Sequence, residues 1–139
     1  VKVKLSDVSV KDWKTVGMPA EAANAIDGDP QTVWTAKALT PLVVDMGKAS
    51  EVIGFSYAPA QKEDLTGTIY KYNFYVSIDG KNWTKCDASG EFSNIMHNPV
   101  PYFVRFGKKY PARYFKLEPV AEINNKPATT VGEVGILLK

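Results

Sequence analysis

The most constraining feature of the sequence is an alternation of side chains within residues 66–86. Successive side chains of a β-strand point to opposite faces, so a period of two separates them into two sets. The first set is aromatic or aliphatic: Tyr70, Tyr72, Phe74, Val76 and Ile78. The second set is polar apart from Tyr75: Lys71, Asn73, Ser77 and Asp79. A helix would scatter the first set around its circumference, so the pattern predicts a half-buried β-strand.

A tight turn and a second strand are predicted to follow this strand. Asp79 and Gly80 tolerate the positive φ angles that two-residue hairpin turns require, and Trp83 then opens a second predicted strand. We therefore predict a long β-hairpin. It determines the fold class and carries no information about chemistry.

The remaining strands are predicted from short apolar or alternating stretches that are separated by turn residues. They are residues 8–13, 41–46, 52–57, 102–106, 112–117 and 132–138. Residues 19–25 are predicted to form one short helical turn, and residues 1–5 either a lead-in strand or a linker remnant. About eight short strands with almost no helical periodicity predict an all-β fold, an antiparallel β-sandwich of the jelly-roll type.

Length and composition favour a single domain with its own core. The chain has 139 residues, of which 45% are hydrophobic, and this suits one folded unit. It begins at Val1, with no initiator Met and no signal peptide. We therefore expect residues 1–139 to be one domain excised from a larger protein.

Charge and motif content argue against several classes of function. The net charge is +2 and the Lys and Arg residues are dispersed, whereas nucleic acids and anionic membranes require basic clusters. No apolar run is long enough to span a membrane. The single Cys86 cannot form an internal disulfide and is expected to be a small buried hydrophobe. Phosphate-binding loops, Cys/His metal clusters and nucleophile elbows are absent from the sequence.

Catalysis is not expected. The only histidine, His97, lies beside Asn98-Pro99 in a predicted loop, and a single His in an all-β domain is weak support for a catalytic relay. Glycoside hydrolysis needs two acids across a cleft, and a small sandwich seldom provides one. The acids in predicted loops are Asp27, Asp29, Asp64 and Glu91.

One group of oxygen-bearing residues is compatible with a bound cation. Asp27 and Asp29 stand in a turn, Thr32 follows, and Glu133 begins the last predicted strand. Ca²⁺ takes carboxylate, hydroxyl and carbonyl oxygens together, and a distant Glu could complete such a shell. Alternatively, Asp27 is an Asx-turn residue and Glu133 a solvated charge at a strand end. The residues alone favour this second interpretation.

Nearly the whole chain resembles a known family. The matching segments are NAIDGDPQTVWT, PLVVDMGK, VIGFSYAPAQ, GTIYKYNFYVSIDGKNWTKC, ARYFKLEPV and GEVGI. They resemble the discoidin or coagulation factor V/VIII type C domains, and in particular the family 32 carbohydrate-binding modules of secreted bacterial glycoside hydrolases. The closest likeness is to the C-terminal domains of fucosidases and β-hexosaminidases. The resemblance implies a non-catalytic, glycan-directed domain whose parent is secreted, periplasmic or at the cell surface.

The resemblance also implies a structural Ca²⁺. The family's ligand positions correspond to Asp27, Asp29 through its backbone oxygen, Thr32 and Glu133, with the carbonyl of Ala25 or Asn24. Such an ion would hold the acidic turn against the final strand without taking part in a reaction.

The sugar site departs from the family pattern at two positions. Family members that bind galactose-type sugars often have a His and an Arg where this chain has Thr35 and Ala60. The remaining candidate ligand residues lie in or next to predicted loops: Tyr57, Gln61, Asn94, His97 and Asn98.

Each of these candidates also has a purely structural interpretation. Tyr57 is expected in the core at a strand end, Asn94 and Asn98 in turns, and His97 in an exposed loop. The tryptophans are expected in the core or against the hairpin rather than as stacking platforms: Trp13, Trp34 and Trp83.

Two functions therefore remain open. The first is a carbohydrate-binding module that holds its parent enzyme near glycan. The second is a spacer or docking domain that packs on the parent's catalytic domain and binds no sugar. An exposed aromatic beside Asn94 or His97 would favour the first, and a continuous apolar patch on an outer sheet face would favour the second.

Overall fold

Eight β-strands and one 3₁₀ helix make up the regular structure of residues 4–138, the part of the chain that this computed structural model describes. The 3₁₀ helix is Ala20–Ala25. The strands are β1 (Lys14–Thr15), β2 (Trp34–Ala36), β3 (Leu42–Ala58), β4 (Ile69–Ser77), β5 (Thr84–Lys85), β6 (Tyr102–Glu122), β7 (Thr129–Val131) and β8 (Glu133–Leu137).

Two long strands, β3 and β6, connect the two layers of the fold. They pair antiparallel from Leu42↔Leu117 to Tyr57↔Tyr102, with a register shift between Asp45 and Ser50. Before the shift β3 also pairs with β1, and after it β3 pairs with β8. The second half of β6, but not its first half, pairs with β4. Each long strand therefore contributes one half to each layer of an antiparallel β-sandwich, as the sequence predicted. The first layer contains β1, the first half of β3, the second half of β6, β4 and β5. The second layer contains β8 and the other halves of β3 and β6.

Aromatic rings fill the space between the layers. Phe55 of the second layer stacks on Phe74 of the first, with ring centroids 4.1 Å apart. Phe92 stacks between Tyr57 and Tyr72, at centroid distances of 4.9 and 4.5 Å. All five side chains are at most 2% exposed. Burying a ring of this size contributes roughly 1.5–3 kcal/mol, so this group is a main source of stability.

The predicted hairpin is present, but its turn is longer than predicted. β4 ends at Ser77 and β5 begins at Thr84, which leaves six residues, 78–83, in the connection. Asp79 explains the difference, because its Oδ1 accepts the N–H groups of Lys81 and Asn82, each at 2.8 Å. This side chain replaces the backbone pairing that a two-residue turn would have made.

Burial along β4 follows the predicted alternation within the strand and fails beyond it. Tyr72, Phe74 and Val76 are buried and Tyr70 is half-buried, whereas Ile78 is 53% exposed. Ile78 does not continue the buried face of this set because the strand ends at Ser77, after which the alternation no longer determines which way a side chain points.

The other predicted elements differ mainly in their boundaries. Residues 41–46 and 52–57 are parts of one strand, β3, and residues 102–106 and 112–117 are parts of β6. The helical turn at 19–25 is confirmed as the 3₁₀ helix, but residues 8–13 form no strand.

The predictions near the chain ends have mixed outcomes. Residues 1–3 of the predicted lead-in lie outside the described residues. The last predicted strand is present as β8, whereas β7 was not among the predicted strands.

Among residues 4–138, no helix has the length and apolar character needed to cross a membrane. Cys86 is a buried free thiol, and burial raises its pKa to about 12. It is therefore protonated at neutral pH, as expected of a packing residue.

The close approach of Gly67 to β7 provides a test of the packing. Gly67 has φ +93°, and a Cβ there would lie 2.8 Å from Thr130 Cβ and 2.9 Å from Thr130 N. Gly17 also has positive φ, +64°, but a Cβ there would meet nothing within 4 Å. We expect Gly67→Ala to lower the free energy of unfolding by about 2–4 kcal/mol, since strain and overpacking add. Gly17→Ala should cost only about 1 kcal/mol of strain.

Urea denaturation of the two variants beside the unsubstituted domain measures both effects. Equal losses for the two alanine variants would contradict the tight contact between Gly67 and Thr130.

Candidate functional site

The loop that follows the 3₁₀ helix is wound by its own aspartates. We call residues 24–32 the acidic loop. Asp27 Oδ1 accepts the N–H of Asp29, and Asp29 Oδ1 accepts the N–H of Gln31, both at 2.9 Å. Gly28 between them has φ +83°. Both aspartates therefore form Asx turns, so the turn-forming role expected for Asp27 is present.

Oxygen atoms crowd around the Thr32 hydroxyl at the end of this loop. Thr32 Oγ1 lies 2.9 Å from the Asp29 carbonyl oxygen, 3.3 Å from the Asn24 carbonyl oxygen, and in contact with Asp27 Oδ2. A hydroxyl carries one proton, so it can donate to only one of these three acceptors. The group therefore contains more oxygens than its own protons can satisfy.

Glu133 brings another carboxylate to the acidic loop from the start of β8. Its side chain is 2% exposed, and Oε2 accepts the N–H of Gly28 at 2.8 Å. Its Oε1 is buried and has no hydrogen-bond partner among the described residues. The interpretation of Glu133 as a solvated strand-end charge was therefore wrong.

The surroundings of Glu133 disfavour its ionised form. Burial raises the pKa of the Glu133 carboxyl to about 8, against the opposing effect of the Gly28 N–H, and the negative charges of Asp27 and Asp29 raise it further. A positive charge among these oxygens would oppose both effects and favour the ionised carboxylate.

The oxygen set fits a hard cation. Within residues 4–138, no three His, Cys, Asp or Glu side chains form a metal-binding group, so an ion here would depend on neutral oxygens as well. The chain offers the carboxylates of Asp27 and Glu133, the Thr32 hydroxyl and the carbonyls of Asn24 and Asp29. This mixture is typical of Ca²⁺ sites. Of the two carbonyls expected from the sequence, that of Asn24 faces the Thr32 hydroxyl.

The predicted sugar-binding residues lie mainly on two loops that touch each other. Gln61 Nε2 donates to the carbonyls of Pro59 and Pro99, both at 3.1 Å, and so links the segment after β3 to the segment before β6. We call residues 59–61 and 93–99 the rim. Gln61, Asn94, His97 and Asn98 are all exposed on it.

A tight turn organises the second segment of the rim. Asn94 has φ +63°, and its carbonyl accepts the N–H groups of His97 and Asn98 at 3.1 and 2.9 Å. Asn94 therefore has the turn role that the sequence suggested. The turn leaves the side chains of His97 and Asn98 in solvent.

Tyr57 does not reach the rim, so its place among the ligand candidates was wrong. Its side chain is completely buried, with the hydroxyl donating to the Thr130 carbonyl at 2.7 Å and accepting the N–H of Ile69 at 3.0 Å. Burial raises the pKa of this hydroxyl. Its structural interpretation, core at a strand end, is the correct one.

Tyr102, the first residue of β6, adjoins the rim, and sequence reasoning did not list it among the candidates. Its half-buried ring packs on Phe92, and its hydroxyl lies 2.9 Å from the Ser93 carbonyl oxygen and 3.1 Å from that of Asn98. Because one proton serves one acceptor at a time, the hydroxyl can alternate between them. The sequence predicted a strand at residues 102–106 but gave no signal for where the Tyr102 hydroxyl would reach.

The positions that differ from the family pattern carry no strong polar group in the structure. Ala60 is 2% exposed, so its methyl group is packed inside. Thr35 is exposed, with Oγ1 3.5 Å from Thr130 Oγ1. The polar groups of the rim therefore come from other residues.

Two of the loop acids have local structural roles. Asp64 Oδ1 accepts the N–H of Thr66 at 2.9 Å, and Glu91 Oε2 accepts the Tyr70 hydroxyl at 3.3 Å. Neither forms the facing carboxylate pair that glycoside hydrolysis would need.

Comparison with known proteins gives one family and several relatives. The family model described as F5/8 type C domain matches residues 5–134. A galactose oxidase of Gibberella zeae is 29% identical over 143 residues, which is 94% of this chain and 20% of that protein. The chain thus spans about a fifth of the length of this curated relative.

Solved structures share the fold. A CBM32 domain from Clostridium perfringens, in complex with GalNAc-β-1,3-galactose, superposes with a TM-score of 0.79 at 22% identity, covering 94% of this chain and 99% of that one. A candidate α-L-fucosidase from Bacteroides ovatus gives a TM-score of 0.75 at 33% identity, covering all of this chain and 20% of that one.

Proposed function

The chain belongs to the F5/8 type C domain family, and we propose that it is a non-catalytic carbohydrate-binding module of a secreted glycoside hydrolase, stabilised by a structural Ca²⁺. Such a module acts by keeping its parent enzyme close to glycan, which raises the local substrate concentration without any reaction of its own. The parent would work outside the cell, in the periplasm or at the cell surface.

The rim carries this proposal, because it combines an aromatic side chain with exposed polar groups. Sugar rings bind to proteins through contacts of their C–H faces with aromatic rings and through hydrogen bonds to their hydroxyls. Tyr102 lies directly beside Asn98 and supplies the aromatic surface. Gln61, Asn94 and His97 supply donors and acceptors around it.

The sugars to test first are terminal galactose and N-acetylgalactosamine. The Clostridium perfringens domain binds a disaccharide of these two sugars, and the Gibberella zeae relative is a galactose oxidase. Thr35 and Ala60 lack the polar groups of galactose-binding family members, so affinity should be lower or the preferred sugar different. The same two positions favour the alternative function, a spacer that packs on the parent's catalytic domain.

The proposed Ca²⁺ would be held by residues of the acidic loop and β8: Asn24, Asp27, Asp29, Thr32 and Glu133. When bound, it supplies positive charge and no chemistry of its own. The buried and unpaired Glu133 Oε1 supports this proposal, since an unpartnered buried carboxylate oxygen is unfavourable without a cation or a proton.

We expect substitutions on the rim to weaken sugar binding without unfolding the domain. His97→Ala and Asn98→Ala each remove an exposed side chain whose loss leaves the turn hydrogen bonds of the backbone in place. Loss of one sugar hydrogen bond should weaken binding about three- to tenfold. Titration calorimetry with N-acetylgalactosaminyl-galactose measures the effect. Lys48→Ala is the control, because Lys48 is an exposed residue of β3 outside the rim.

Unchanged affinity in both rim variants would contradict this placement of the site. A glycan array without a signal for galactosides, fucosides and hexosaminides would favour the spacer function instead.

We expect Ca²⁺ to raise the melting temperature of chelator-treated protein and to release heat on titration. Binding at 100 times the dissociation constant stabilises a protein by about 2.7 kcal/mol. Glu133→Gln should abolish the response while keeping an acceptor for the Gly28 N–H. Because this variant carries no buried charge, its chelated form should melt no lower than the chelated unsubstituted domain.

Asp64→Asn, which alters a loop acid away from the acidic loop, is the control and should respond to Ca²⁺ normally. Absence of both heat and a change in melting temperature in the unsubstituted domain would remove the calcium proposal.

A further inference from the structure

The outer face of the first layer carries a lysine between two aromatic rings, away from the rim. Lys116 of β6 pairs with Tyr75 of β4. Its Nζ lies 4.9 Å from the centroid of the Tyr75 ring and 4.6 Å from that of the Trp83 ring. Phe115 and Leu117 on either side of Lys116 are completely buried, so Lys116 points away from the core. We call Tyr75, Trp83, Lys85 and Lys116 the lysine–aromatic face.

A second lysine extends the positive charge of this face. Lys85 of β5 lies opposite Tyr75 on the side away from β6 and is exposed. In the part of the chain that the structure describes, the ion pairs with carboxylates are made by Lys4 and Arg113. Lys85 and Lys116 therefore keep charges that no carboxylate of these residues pairs.

Hydrogen bonds hold the aromatic side of this face in place. Glu118, the next outward-facing residue of β6, accepts the Tyr75 hydroxyl at 3.2 Å and Asn73 Nδ2 at 2.9 Å through Oε1. The Tyr75 ring is thereby fixed beside Lys116. A fixed ring loses little conformational entropy when a ligand binds on it.

We propose that the lysine–aromatic face is a second binding surface, separate from the rim, for an acidic polysaccharide whose sugar rings carry carboxylate groups. The aromatic rings offer apolar surface to the C–H groups of a sugar, and the ammonium groups of Lys85 and Lys116 pair with its carboxylates. A neutral glycan would use the rings and leave the two cations without anions. An extended nucleic acid would need more basic residues than a chain of net charge +2 with dispersed lysines provides.

The two surfaces lie on different parts of the sandwich. The rim adjoins Tyr102 at the start of β6, which pairs with the second half of β3. The lysine–aromatic face lies on the second half of β6, which pairs with β4 in the other layer. One surface can therefore be altered without altering the other.

Binding to polygalacturonate, with neutral galactan as the comparison, tests the proposal. Retardation of the protein in gels that contain each polymer measures affinity. We expect retardation by polygalacturonate that weakens with salt. Lys116→Met keeps the aliphatic stem and removes the charge, and should weaken binding about tenfold. Trp83→Ala should do the same, whereas Lys48→Met, an exposed lysine on the bend of β3, should bind normally.

Several outcomes would overturn the proposal. One is equal binding of polygalacturonate by Lys116→Met and Lys48→Met. Another is retardation by galactan equal to that by polygalacturonate. The third is binding of poly-glutamate equal to that of polygalacturonate, which would show attraction to any polyanion. Melting temperatures check that each variant is folded. Because His97→Ala changes only the rim, it should retain polygalacturonate binding. If His97→Ala loses polygalacturonate binding, the acidic polysaccharide binds at the rim and the proposal is overturned. If the rim binds no neutral sugar, the expected binding of polygalacturonate to the lysine–aromatic face is unchanged.

Discussion

The hydrogen bond between the buried Glu133 carboxyl and the Gly28 N–H is the constraint on which the arrangement of the acidic loop, β8 and the rim depends. It joins the acidic loop to the first residue of β8, although 105 positions separate the two residues in the sequence. β8 in turn pairs with the end of β3, from which the rim begins, and the Gly132 N–H donates to the Ala58 carbonyl. The Gly28 N–H offsets part of the cost of burying the Glu133 carboxyl, and the hydrogen bond holds the acidic loop against β8. Because β8 pairs with the end of β3, the acidic loop and the rim are tied to the same pair of strands.

Buried polar groups also fix the chain before β4 and between β6 and β7. The Tyr57 hydroxyl, completely enclosed, connects the start of β4 to β7 by accepting from Ile69 and donating to Thr130. Glu122 is 2% exposed and accepts the N–H groups of Gly67, Asn124 and Lys126. These contacts satisfy backbone groups where strands give way to loops, so the loops can be irregular and still held in place. Such loops suit recognition, because their exposed side chains project from a rigid frame.

The sequence predicted what depends on neighbours along the chain and failed where distant segments decide. Alternation located most of the strands, and the Asp-Gly pair located the hairpin turn, because both signals are local. The sequence could not show that residues 41–46 and 52–57 form one strand, since that depends on continuous pairing with β6. Ile78 lies beyond the end of β4, in the turn where Asp79 accepts the N–H of Lys81, and its side chain is exposed. The burial of Glu133 also depends on tertiary contacts, so the sequence left its role ambiguous. The contact of the Tyr102 hydroxyl with the rim depends on them as well, and the sequence gave no sign of it.

The continuity of β6 through both layers links the two proposed surfaces mechanically. Tyr102 begins the strand beside the rim, and Lys116 lies on its second half among the rings of Tyr75 and Trp83. Since the strand is held by β3 along most of its length, the two surfaces keep a fixed separation and orientation. A polymer that reaches both would lose little further freedom at the second contact, so two weak sites can together bind strongly. On this argument the absence of strong polar groups at Thr35 and Ala60 is compatible with the proposed carbohydrate-binding role, because a glycan that engaged both proposed surfaces would not require a tight site at the rim.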